Sequence, residues 1–409
     1  MSNISKKRVA ITGMGVISSL GDSSASLHSA LCRGLTGAYE FDELNGFEGR
    51  GSGRITAFQA EAYLKGRNLR PLDRTGQLVV ATAKLALADS GWTAERLAEH
   101  TAGLVLGTMF GSVHTIAKFD RHALEQGPAC ASPMDFANTV INAAAGQTAI
   151  WHNLRGINST IASGSASGLA ALGYAADLIR SGDQTAVLAG GADEFCFESF
   201  CGFERGGMLQ TSEAFPVPFH EARTGFAVGE AAGLLMLEEW ESAMARGARI
   251  LAEVRGHGSA FDASAGEDRA QAARSIARAM TLALSDAGLS WHEVDCISAS
   301  ANGSVHADRD EAVAIGSLLN GRGPDLAVTA IKSMTGEILG AAGALQAIDM
   351  VESLRSGMLP AIRGLEQNDP CLPELNFCRQ PRRIDGSCGL INSVGLDGNA
   401  GSLLISMSN

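Results

Sequence analysis

The sequence predicts an α/β protein built of two similar halves, with helices packed on layered sheets. Three observations predict it. The order helix, strand, long helix, strand occurs twice along the 409 residues. The strand-like runs are short and apolar, which suits a sheet covered on both faces. The composition, 45% hydrophobic and 19% charged with 49 glycines, is that of a compact, glycine-punctuated chain and excludes disorder over most of its length.

Val9 to Thr12 reads as the opening strand. Lys6, Lys7 and Arg8 ahead of the run to Leu20 imitate a signal peptide, but Thr12, Gly13, Gly15, Ser18 and Ser19 interrupt it and no clean cleavage site follows. Gly13 and Gly15 also fall short of a dinucleotide fingerprint, because its third position is Ser18 and no acidic residue is suitably placed about 20 residues later. Leu85 to Gly91 (LALADSG) closes an amphipathic helix with glycine where a left-handed residue is needed, and the apolar run Ala102 to Thr108 follows. Thr108 to Asn142 is less regular and is expected to cap the core. A long helix from Ala166 to Arg180 leads to a strand at Ala186 to Ala189.

The second half repeats this order. Leu282 to Gly288 (LALSDAG) matches the first helix end, Val294 to Ser300 the strand, and Gly343 to Gly357 the long helix; Gly168 to Gly182 has the same length, and both close on Arg-Ser-Gly. Gly389 to Ser393 is the last matching strand. The boundary falls between Glu239 and Gly256, dividing the chain into residues 1–245, with the cap at 108–142, and residues 246–409.

The net charge of −12, from 44 acidic and 32 basic residues, repels phosphate backbones and anionic lipid, so nucleic acid is not an expected partner. No apolar run approaches the ~18–20 residues that cross a bilayer, so no membrane association is expected. The eight cysteines contain no CxxC pair, as in reduced cytoplasmic chains, and indicate neither disulfides nor a metal site.

No phosphate-binding loop of the G-x-x-x-x-G-K type is present. In Ala162 to Gly168 (ASGSASG) the centre of the Gly164–Gly168 frame is Ala166 rather than serine, which disfavours a hydrolase elbow. Ser165 stands at or beside the start of the long helix. It is either a helix cap, the simpler reading with no base in reach, or a nucleophile or oxyanion position favoured by the helix dipole.

Five blocks carry a family resemblance: Arg8 to Gly15 (RVAITGMG); Leu154-Arg155-Gly156 through the helix to a Gly-Gly turn at Gly191; Pro218-Phe219, Arg223 to Phe226 and Gly229-Glu230; Ile331 to Ala344 (IKSMTGEILGAAGA); and Asn392 to Gly401 (NSVGLDGNAG). Through them the chain resembles the β-ketoacyl synthases, which condense acyl chains held on carrier proteins. The resemblance implies a thiolase-like fold, duplicated α/β halves in a layered αβαβα core.

That family uses a cysteine nucleophile and two histidines. The matching positions here hold Ser165, Asn302 and Glu337, while the accompanying lysine is kept as Lys332. A serine hydroxyl needs a base where a thiol does not, and Asn302 cannot accept a proton. Losing nucleophile and bases together costs on the order of 10⁶ in rate in a triad enzyme. His306, four residues beyond Asn302, reads as structural or surface. In the closing loop the gating phenylalanine is replaced by Leu396, and Asp397 stands where the family has glycine.

Inactive ketosynthase-like chains of this kind resemble the chain length factor, the β subunit of type II polyketide ketosynthases. The implied function is a non-condensing subunit in a cytoplasmic heterodimer with an active Cys-His-His ketosynthase, shaping the acyl tunnel. Tunnel or interface residues would be Val113, Ile116, Phe119, Asn138 and Leu396, with partner contacts around 111–120, 138–147 and the strand near Asn158 to Ala162. Arg67, Arg70 and Arg74 would dock an acyl carrier protein, whose phosphopantetheine is the only prosthetic group expected; no cofactor or metal of the chain's own is expected. Two alternatives stay open: a homodimeric acyltransferase or hydrolase using Ser165 with Glu337 as base, and a malonyl-carrier decarboxylase.

Overall fold

The apolar runs pair into one sheet, which the computed structural model shows for residues 6–37, 52–66, 68–211, 215–264, 267–319 and 326–407, the residues described below. Its strands are β1 (Val9–Ser18), β2 (Gly103–Gly107), β3 (Asn158–Ile161), β4 (Ala186–Asp193), β5 (Ala231–Glu239), β6 (Ala252–Phe261), β7 (Cys296–Ser298), β8 (Ala327–Thr329), β9 (Asn376–Phe377), β10 (Cys388–Val394) and β11 (Asn399–Ser406). They lie in the order β9-β8-β7-β10-β11-β6-β1-β5-β4-β2-β3.

Outward from the β1–β6 junction the two sides match. On one side β1, β5 and β4 run antiparallel, and β4, β2 and β3 parallel. On the other, β6, β11 and β10 run antiparallel, and β10, β7 and β8 parallel.

Five layers result. Helices α1 (Arg74–Asp89), α2 (Val113–Gln126), α3 (Ala143–His152), α4 (Ser167–Ser181), α5 (Arg269–Ala287), α6 (Val305–Leu318) and α7 (Ala342–Ser356) divide among them. Helices α1 and α3 cover the first half, α5 and α6 the second; α4 and α7 pack on each other and on strands of both halves. This is the duplicated αβαβα arrangement that the resemblance implies. The central layer is mostly apolar: Leu172, Ala175 and Ile179 of α4 and Leu345, Ile348 and Val351 of α7 are fully buried, each large side chain worth about 1.5–3 kcal/mol relative to exposure.

Gly13 and Gly15 are explained by this packing. They lie inside β1, where a Cβ on Gly15 would meet Thr82 O of α1 at 2.4 Å and one on Gly13 would meet Ser90 N at 2.5 Å. The second half repeats the contact: a Cβ on Gly258 would sit 2.4 Å from Ala279 O, and one on Gly256 2.5 Å from Ala283 O, both in α5. Backbone touches backbone there, so no side chain fits.

Two sequence expectations are corrected. Helix α4 starts at Ser167, one residue later than read, because the Ser167 hydroxyl is turned back to Thr108 O (3.1 Å) and Gly164 O (2.6 Å). Gly190 and Gly191 form no turn; β4 runs through them to Asp193, and the missing side chain at Gly191 lets Gly340 O come within 2.0 Å of where a Cβ would be.

The cap consists of α2 followed by the short segments Pro128–Cys130 and Pro133–Phe136, and α2 fully buries only Thr115. The helix Ser24–Cys32 is pinned to α7 by His28 Nδ1 and Asp349 Oδ1 at 2.8 Å. Burial alone would lower the His28 pKa, but the bond to Asp349 outweighs it and pushes it up to about 10. No helix among the described residues is long and apolar enough to cross a membrane.

Candidate functional site

Ser165 stands on the tight turn between β3 and α4, made possible by Gly164 in the left-handed region (φ 56°). It is 2% exposed, and its carbonyl accepts the Ser393 hydroxyl of β10 at 2.9 Å. It is not the helix cap. Ala166 occupies that position without a side-chain bond, and the Ser167 hydroxyl closes the turn by accepting the Ser163 amide at 2.8 Å. The side chain of Ser165 is therefore left over from capping, at the head of a helix whose dipole favours negative charge.

Lys332, Glu337 and Asn302 are brought together. The Lys332 ammonium lies 2.7 Å from Glu337 Oε2, and both side chains are buried. Asn302 Nδ2 donates to the same oxygen at 2.7 Å, and the Leu339 amide donates to Oε1 at 3.1 Å. Lys332 also reaches the Ser300 hydroxyl at 3.3 Å. The Glu337 backbone is locked in turn, its amide donating to Ala227 O and its carbonyl accepting from the Gly229 amide.

A general base needs a lone pair aimed at the proton it removes. Among the described residues, the Glu337 carboxylate is committed to Lys332, Asn302 and the Leu339 amide, and its hydrogen bonds do not include Ser165. The cluster is an electroneutral ion pair bolted by an amide, suited to holding shape rather than moving protons.

Buried acids hold the loops around it. Asp308 accepts from the Asn302, Gly303 and Phe219 amides; burial pushes its pKa up to about 6. Glu311 accepts from the Ser300 amide and Asn392 Nδ2; burial pushes it up to about 7, and its Oε2 has no hydrogen-bond partner. Asp193 takes the Thr108 hydroxyl and the Met109, Phe110 and Gly340 amides, with burial raising it to about 6. These residues escaped the sequence reading. Their signal was an α6 face on which Asp308, Glu311, Ala312 and Ile315 recur at helical spacing with all four buried.

A cavity of about 480 Å³ is walled by Ser304, His306, Arg269, Ile276, Met208, Val394 and Leu396 among others; no residue of the cluster lines it, and Ser304, whose amide donates to Asn302 Oδ1 at 3.0 Å, is the wall nearest in sequence to Asn302. Leu396 is 37% exposed at its mouth. The Asp397 carboxylate closes over the Ser165 turn: a Cβ on Gly164 would lie 2.8 Å from its Oδ2.

Residues 6–243 match the model of the "Beta-ketoacyl synthase, N-terminal domain" and residues 251–366 that of the "Beta-ketoacyl synthase, C-terminal domain". The chain belongs to the β-ketoacyl synthase family. It is 33% identical over 411 residues to 3-oxoacyl-[acyl-carrier-protein] synthase 2 of Vibrio cholerae serotype O1, covering 98% of this chain and 99% of that one. Among solved structures it is similar to the ishigamide ketosynthase/chain length factor (TM-score 0.92, 33% identity, 99% of this chain and 100% of that one). It is also similar to a type II PKS ketosynthase solved in complex with its acyl-carrier protein (TM-score 0.88, 25% identity, 98% and 100%).

Relative to the ketosynthase pattern of cysteine and two histidines, the structure gathers Asn302, Glu337 and Lys332 in one cluster. The residues assigned to tunnel and docking are dispersed. Val113, Ile116 and Phe119 are half-buried on α2 rather than core, and Phe119 packs on Phe136 with ring centroids 5.8 Å apart. Asn138 does not line a surface: it is 5% exposed and donates to Pro71 O at 2.9 Å, bracing the cap. Arg74 does not stand free for docking: its guanidinium turns inward to the buried Glu230 carboxylate and Ile55 O, leaving the side chain 30% exposed. Arg70 is exposed, and Arg67 lies outside the described residues. His306 is exposed at the cavity wall.

Proposed function

We propose that this chain is a chain length factor: a non-condensing member of the β-ketoacyl synthase family that pairs with an active ketosynthase, stabilises it and shapes the tunnel for its growing acyl chain. The observation that carries the reading is the Lys332–Glu337–Asn302 cluster. Where the family's chemistry needs bases, a buried ion pair and an amide satisfy one another, and the nucleophile position holds a serine with no base on it. Similarity to the ishigamide ketosynthase/chain length factor supports the same reading.

The pairing surface is β3 with the adjoining cap. β3 is the outermost strand on its side of the sheet, and its residues run from exposed to half-buried. Leu124, Phe136, Val140, Ile141 and Ile150 leave apolar surface exposed on the surrounding segments, a concentration that marks an interaction face. An acyl carrier protein delivers the substrate to the assembled pair, as supported by the carrier-bound ketosynthase neighbour.

Native mass spectrometry of the chain co-expressed with a Cys-His-His ketosynthase encoded beside it tests this. A one-to-one complex is the expected result. A homodimer that ignores the partner overturns it, as does acylation lost in S165A or release of carbon dioxide from a malonyl-carrier by the isolated chain.

A further inference from the structure

Lys84, Leu87 and Ala88 stand three and four residues apart on one face of α1, opposite Thr82 and Ala86, which press on β1 at Gly15. That face opens into a cleft of about 570 Å³, within the roughly 300–1,000 Å³ typical of sites for small organic molecules. Its walls are apolar. Leu64, Leu87 and Leu97 are buried, Trp92 is 5% exposed, and Trp151 near the end of α3 is half-buried.

The charge of the cleft runs against the chain's net −12. Lys65 and Lys84 line it, both are exposed, and no lining residue is a carboxylate. Lys84 Nζ donates to Tyr63 O, a neutral acceptor, and neither lysine forms an ion pair among the described residues. The acids nearest Trp92 in sequence are engaged elsewhere. Asp89 accepts from the Met14 amide at 2.9 Å and meets Arg249 at 2.8 Å, and Glu95 is tied to the Thr93 hydroxyl. Behind the wall the Arg96 guanidinium lies 4.7 Å from the Trp92 ring centroid, and Arg96 Nε and Trp92 Nε1 are both buried with no hydrogen-bond partner among the described residues. Buried donors are ordinarily paired, so this corner of the molecule is short of acceptors.

We infer that the cleft between α1 and α3 binds an aromatic carboxylate, with its ring against the Trp92 and Trp151 indoles and its carboxylate on Lys65 and Lys84. Indole walls favour a flat apolar body through burial and ring contact. The lysines add charge-assisted hydrogen bonds that only an anion can accept. A cationic aromatic molecule meets like charge there, and a neutral one gains nothing from the ammonium groups. The site lies in the outer layer of the first half and does not rest on the function proposed above.

Isothermal titration calorimetry of the full chain with naphthoate, and with the matching neutral naphthylmethanol, tests the inference. Saturable binding is expected, with the acid bound on the order of tenfold more tightly than the alcohol at low salt. K65M/K84M is expected to bring naphthoate down to the affinity of the alcohol while leaving the alcohol's own affinity unchanged. W151A is expected to weaken both about tenfold. Both lysines are exposed, and an unchanged thermal midpoint checks that the double variant is folded. Absence of saturable binding to the wild-type chain overturns the site. Equal affinity for acid and alcohol overturns the ligand class, as does a folded K65M/K84M variant that keeps the preference for the acid.

Discussion

The two halves of this molecule agree where backbones touch in the outer layers and differ in the side chains that approach the central helices. In the outer layers, Gly13 and Gly15 admit α1 against β1 just as Gly256 and Gly258 admit α5 against β6, at the same 2.4–2.5 Å clearances for a missing Cβ. In the central layer, the approaches to α4 and α7 diverge. The first presents Ser165 on a turn closed by Ser167; the second supplies Glu337, locked to Lys332 and Asn302. Packing constraints are set by the fold and repeat with it, whereas the site's residues are free to change provided their charges stay satisfied.

The sharpest break of this comparison is catalytic. S165C should leave condensation of malonyl units undetectable, because no base accompanies the thiol; S165C/N302H/E337H should differ from it by up to about 10⁶ in rate, read as product formation by the isolated chain. Activity from S165C alone would show that the central layer still carries chemistry.

Next in size is the ion pair. E337A strands the Lys332 ammonium in a buried site with the Ser300 hydroxyl at 3.3 Å, and should cost about 3–5 kcal/mol in urea unfolding. K332M/E337L, which removes both charges, should cost clearly less than E337A.

G15A and G258A sharpen the outer-layer side of the comparison. Each forces a methyl group into a helix backbone and should cost about 1–3 kcal/mol. Similar losses are expected from both, measured by the same unfolding titration; a large inequality would show that the two contacts are not equivalent.

The last effect is spread over pH rather than concentrated in one substitution. His28 binds its proton more tightly folded than unfolded, with a folded pKa of about 10 against about 6.5 unfolded. Its contribution is complete below about pH 6.5 and is lost as pH rises through 10, at no more than about 1.4 kcal/mol per pH unit. H28Q should flatten the decline in thermal stability between pH 7 and 9.

Much of this was legible in the sequence. The duplicated order of elements, the glycine-closed helices and the five family blocks led to the right fold, because hydrophobic period and backbone turns are local properties. The residues that the resemblance sets at the family's cysteine and two histidine positions, Ser165, Asn302 and Glu337, could be named from the sequence. What could not be read was which way polar side chains turn. Arg74 looked like part of a surface patch until Glu230, 156 residues away in sequence, claimed it. Ser165 looked like a cap until the neighbouring Ser167 hydroxyl took over the turn. The buried acids of α6 went unread, since only tertiary packing decides that Asp308 and Glu311 point inward.

The Lys332–Glu337 pair also bears on how such a chain can change over generations. Replacing Glu337 with histidine alone would strip Lys332 of its counter-charge in a site 1–2% exposed, so a first step toward the family's histidine pattern lowers stability before it can add any rate. Reaching that pattern requires changes that arrive together, at Glu337, Asn302 and Ser165. The pair thus works as a ratchet: one well-placed carboxylate holds Lys332 in its charged, buried site and makes single substitutions at Glu337 steep.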